Sequence, residues 1–157
     1  MNFIRTAIIA LVGTLASFSP LHANEAVQTF KKDLANVGAF FEEAKPKNSA
    51  EKLIIIRQAC AKLKAVKTEG LPADLKAAYG DLVIVVGKAE EALKEFPEKA
   101  QEVSEVLQKK NADPAAKAEF GKKMQVLRLE ANPLTEKFLE ACKKYGLGPA
   151  DFGTIPL

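Results

Sequence analysis

Apolar residues recur along this chain at helical spacing. Val27, Phe30, Leu34, Val37, Phe41 and Ala44 step by three and four, which draws one stripe along an amphipathic helix. Pro46 stops that segment, and Asn48 followed three residues later by Glu51 reads as a capping box. A second inner row follows at Leu53, Ile56, Cys60 and Leu63. Gly70 and Pro72 then punctuate the chain before a third row at Leu75, Tyr79, Leu82, Val86, Ala89, Leu93 and Phe96. No segment alternates with period two, and "LVIVV" at 82–86 stays in phase with the helical pattern on both sides. The pattern is all-α.

Two prolines bear on the helix count. Each removes a backbone donor and crowds the preceding turn. Yet the apolar row continues past Pro97 through Ala100, Val103 and Leu107. A further helix opens at "NADP", with Asp113 as cap and Pro114 in its first turn. Its row runs from Phe120, Met124, Leu127 and Ala131 across Pro133 to Leu134, Phe138, Ala141 and Tyr145. The expected fold is an up-down-up-down four-helix bundle with helices at about 25–45, 49–68, 72–110 and 114–145. The last two are kinked or broken at Pro97 and Pro133, and breaks at both would give up to six helices. Residues 146–157 form an irregular tail, and 24–157 make a single domain.

"LIII" at 53–56 and "LVIVV" are apolar all the way round, so part of each faces away from the inner rows. Either the tail covers those faces with Leu147, Phe152, Ile155 and Leu157, or they leave an apolar patch for a partner.

The first residues, "MNFIRTAIIALVGTLASFSPLHANE", have the layout of a secretory signal peptide. Arg5 precedes an apolar run from Ala7 to Ala16 that is too short to span a bilayer, and cleavage is expected after Ala23. The expected address is periplasmic or secreted, with no transmembrane segment in the mature chain. Loss of Arg5 leaves 22 basic against 20 acidic residues, so the net charge drops from +3 to about +2. Lys-Lys doublets at 109–110, 122–123 and 143–144 are diluted by nearby glutamates, and pairs such as Glu105 with Lys109 and Glu140 with Lys144 look like solvated faces. No basic stripe for nucleic acid is present.

His22 is the only histidine, and it lies in the segment expected to be removed. The mature chain then has no imidazole for general-base work, for a Cys-His couple, or for zinc or haem ligation. The adjacent acid pairs Glu42-Glu43 and Glu90-Glu91 fall off the inner rows, which gives no carboxylate metal centre. No catalytic residue, cofactor or metal site is expected.

An exported address permits a disulfide. Cys60 lies about 15 Å from the Gly70 end of its helix, and reflection of Cys142 through the 111–113 turn gives a similar height. Second and fourth helices of a square bundle are diagonal, however, while a disulfide tolerates only roughly 4.4–6.8 Å between α-carbons. A Cys60–Cys142 clasp is the expectation, with buried free thiols or a reactive pair as the alternatives. Gly80 and Gly87, one heptad apart, mark either a ligand groove or tight helix–helix contact.

In architecture an exported four-helix bundle of this size resembles the cytochrome b562 and cytochrome c-prime class, and "EACKKYG" resembles the haem-attachment end of the c-prime proteins. The second cysteine and the histidine of Cys-x-x-Cys-His are absent, so the resemblance implies shape and not haem. The functional expectation is a non-catalytic exported protein that acts by protein–protein contact, as a scaffold, accessory or homodimer. The alternative is a bundle that holds a small apolar ligand between helices.

Overall fold

The computed structural model describes residues 20–152. Among them are five α-helices, one 3-10 turn and no strand: α1 Pro20–Ala44, α2 Ser49–Lys64, α3 Ala73–Leu93, α4 Ala100–Ala112, α5 Pro114–Lys143 and the turn Pro149–Asp151. The expected signal peptide lies largely outside the described residues, as do Ile155 and Leu157. Helix α1 runs across the expected cleavage point after Ala23.

The caps read from the sequence form. Asn48 Oδ1 accepts from the Glu51 N–H at 2.9 Å, while Glu51 reaches back to the N–H of Lys47 at 2.7 Å. Asp113 Oδ1 accepts from the N–H groups of Ala115 and Ala116, which satisfies two orphan donors of α5. At the far end of α5, Gly146 takes φ +72. Paired bonds from Gly146 N–H to the Lys143 carbonyl and from Leu147 N–H to the Cys142 carbonyl close the helix as a Schellman motif. Leu147 is thereby turned into the core.

Among the described residues the helix count is five, not four, because the two prolines act differently. Helix α3 ends at Leu93, before Pro97. Phe96, whose α conformation the following proline disfavours, is buried, and its carbonyl accepts from the Arg57 guanidinium at 2.9 Å. Helix α5 instead continues through Pro133. Pro133 is exposed, so the lost donor and the carbonyl of Leu129 it would have served face solvent.

Helices α3 and α5 form the most extensive seam, and α3 also packs on α2. Three ion pairs fix the α3–α5 register: Asp74–Lys144 at 3.0 Å, Asp81–Lys137 at 2.6 Å and Lys88–Glu130 at 2.6 Å. Each step is seven residues forward on α3 and seven back on α5, so the helices run antiparallel with heptad spacing. The core beneath is built round four rings from different segments. Phe30 meets Tyr79 edge-on at 4.9 Å, Tyr79 lies 5.5 Å from Phe138, and Phe138 lies 6.1 Å from Phe152 of the tail. A second, smaller cluster joins Ala50, Leu93, Phe96 and Val103 beneath α4.

Candidate functional site

Two surfaces and three groups of residues bear on function. The first surface is a cleft of about 370 Å³. Helices α1 and α5 are not an extensively packed pair, and they meet through Phe30 and Phe138 at 6.2 Å. Where they part, the floor is Leu34, Leu63, Tyr79, Leu82 and Phe138, each almost fully buried. The cleft is therefore open at its rim and closed beneath. Residues 132, 135, 136 and 139 share one face of α5, so Asn132, Thr135, Glu136 and Leu139 form one wall, and Pro149 with Phe152 forms the other.

The polar groups of this wall are few. The Thr135 hydroxyl donates to the Ala131 carbonyl at 2.9 Å, and Glu136 has no ion pair among the described residues. At the tail, Asp151 accepts from the Gly148 N–H at 2.7 Å and pairs with Lys31 at 2.6 Å. Beneath the floor the Tyr79 hydroxyl donates to the Leu63 carbonyl at 2.6 Å. Burial, with a smaller contribution from Asp33, pushes the Tyr79 hydroxyl pKa far above its usual value.

The second surface lies on the outer side of α3 and α5. Ile84 is 63% exposed, Val126 54% and Leu129 64%. Val126 lines a shallow groove with Lys88 and Glu130, while Ile84 precedes Lys88 by one turn and Leu129 adjoins Glu130 in sequence. Among the described residues, which end at Phe152, no tail residue covers this face. The tail's Leu147 and Phe152 enter the main core instead, and the 3-10 turn packs on α1.

Cys60 and Cys142 are separate, buried free thiols, and the expected clasp is not formed. Helix α3 packs on both α2 and α5, so it lies between the helices that carry the two residues, the diagonal arrangement a disulfide cannot bridge. Burial, reinforced by the Glu90 carboxylate, raises the Cys60 thiol to about 11, and burial alone raises Cys142 to about 12. Neither has thiolate character near neutral pH.

Gly80 is exposed and Gly87 half-buried on α3. A Cβ at either position would meet nothing within 4 Å, and neither residue lines the cleft between α1, α5 and the tail. Neither therefore marks a close helix crossing. Tyr145, expected in the core, is half-buried and donates its hydroxyl to Asp74 Oδ1 at 2.6 Å. That bond and the Lys144 ammonium hold the Asp74 carboxyl down to about 2. Lys144 therefore crosses to α3 and does not pair with Glu140 on its own helix.

The cleft wall was missed from sequence because its apolar half comes from the tail and its polar half from an exposed face of α5. The ion-pair ladder did carry a signal, in charges of opposite sign at heptad steps on the third and last rows. Among the described residues, no group of three or more His, Cys, Asp or Glu is arranged to hold a metal, and no helix is long and apolar enough to cross a membrane. No protein family, no curated protein and no solved structure matches this chain.

Proposed function

We propose that this is an exported, non-catalytic helical protein that acts by protein–protein contact, with a second copy of itself as the simplest partner. The observation that carries the reading is that Ile84, Val126 and Leu129 are all more than half exposed on the two helices joined by the ion-pair ladder. Ile84 and Val126 lie on either side of the level of the Lys88–Glu130 pair, so the patch is roughly 12 Å long at 1.5 Å per residue. Its rim alternates in charge through Asp81, Lys88, Glu130 and Lys137. A two-fold contact juxtaposes the same patch from both copies, and a rim of mixed sign lets each charge meet an opposite one.

Export is supported by the leader-like first 23 residues, with the mature chain released to the periplasm or the medium after Ala23. Light scattering on the mature protein over a concentration series tests the contact reading. A mass that rises from one to two chains supports it, and one chain throughout, even at millimolar protein, overturns the homodimer. A second reading, a small-ligand module, is favoured by the cleft between α1, α5 and the tail.

A further inference from the structure

The geometry points to a binding site for a small aromatic or alkyl amine in the cleft between α1, α5 and the tail, with the apolar group over Phe138, Leu139 and Phe152 and the ammonium at Glu136. This deepens the small-ligand reading and does not depend on self-association through Ile84.

The volume, about 370 Å³, lies within the range of small-molecule sites. The cleft is lined by rings, Tyr79 and Phe138 in its floor and Phe152 in its wall, linked by contacts of 5.5 and 6.1 Å. Ring faces are electronegative, so they attract the polarised CH₂ groups of an amine as well as a stacked ring. The polar partners sort the ligand by charge. Glu136 is an exposed carboxylate without an ion pair among the described residues, and Asn132, one turn before it on the same wall, adds an amide with an acceptor oxygen and a donor NH₂. The Thr135 hydroxyl has spent its proton on the Ala131 carbonyl, so it faces a ligand only as an acceptor. The cation at the tail, Lys31, is occupied by Asp151 at 2.6 Å. Among the described residues the rim therefore offers an uncompensated negative charge and no free ammonium or guanidinium, which leaves an anion only neutral donors such as the Asn132 amide. A carboxylate ligand of the same shape meets Glu136 as a like charge.

The test uses the full mature chain and three probes of matched size: phenethylamine, phenethyl alcohol and phenylacetate. Amide and aromatic NMR signals report the site, and titration reports affinity. The expected result is saturable shifts at Thr135, Phe138, Leu139 and Phe152, with the amine bound most tightly and phenylacetate least. Glu136→Gln, a surface change that leaves the core untouched, weakens the amine about fivefold, as loss of an exposed charge-assisted bond should, and leaves the alcohol unchanged. Equal binding of amine and alcohol, or an unchanged amine affinity in Glu136→Gln, overturns the amine assignment while keeping the cleft as a site. No cleft shifts with any probe overturn the site itself, and with it the small-ligand reading.

Discussion

The Tyr79 hydroxyl on α3 donates to the Leu63 carbonyl near the end of α2 at 2.6 Å. Leu63 is in the last turn of its helix, where carbonyls lack an intrahelical donor; its other bond, from the Val66 N–H, is longer at 3.3 Å. Tyr79 thus caps a neighbouring helix while its ring fills the space between Phe30 and Phe138. Tyr79→Phe keeps the ring and removes the cap, so urea unfolding should register a loss of about 1–2 kcal/mol. Phe138→Ala empties the centre of the ring cluster and should cost about 3–5 kcal/mol. An equal cost for both would mean that the hydroxyl, and not ring packing, dominates this site.

The ladder of Asp74–Lys144, Asp81–Lys137 and Lys88–Glu130 specifies register more than it stabilises. The pairs are largely solvent-exposed, and such pairs contribute up to about 1 kcal/mol each. Reversing one charge, Asp81→Lys, should lower stability by about that much at low salt. The exchange Asp81→Lys with Lys137→Asp should restore most of it, and added salt should shrink both effects. A double-mutant cycle with no coupling would mean that the ladder is decorative.

Asp74 gives the fold one acid-sensitive contact. Its folded carboxyl is held at about 2, below the ordinary 3.8, first by the Tyr145 hydroxyl and then by Lys144. A depressed carboxyl contributes stability that is present above the ordinary value and fades as pH falls toward about 2. Tyr145→Phe should move the Asp74 titration, followed by carboxyl carbon NMR, back toward its ordinary range. The extra stability of the native protein over Tyr145→Phe should then vanish between pH 4 and 2. An unmoved Asp74 titration would assign the depression to Lys144 alone.

Cys60 and Cys142, buried and held high by burial, should resist thiol reagents at pH 8 in the folded protein. Both should react fully in denaturant. Intact mass without reduction should equal the reduced mass. A two-hydrogen deficit would restore the clasp and require α2 and α5 to meet.

Much of this fold can be read from residue spacing, and the exceptions have physical causes. The row Leu75, Tyr79, Leu82, Val86 and Leu93 is buried as periodicity demands, and the Asn48 and Asp113 caps form because their partners are three residues or fewer away. Pro97 and Pro133 look alike in sequence. What separates them is that Phe96 enters a second core and gives its carbonyl to Arg57, whereas Pro133 faces water. The height comparison for the cysteines sets them level, but the diagonal placement of second and fourth helices in a square bundle decides the matter, with α3 lying between α2 and α5. The cleft was hidden because Phe152 and Glu136 come to line one cleft only once the tail folds back, and the inward row of α5 does not include position 136.

The central claim, that the outer face of α3 and α5 is a contact surface, rests most directly on one comparison. Sedimentation equilibrium of the mature protein, of Ile84→Glu and of the control Gln58→Glu on exposed α2 isolates that face. The account predicts a dimer for the native chain and for the control, and a monomer with unchanged thermal stability for Ile84→Glu. A native chain and an Ile84→Glu variant that sediment alike, whether both single or both paired, would contradict it.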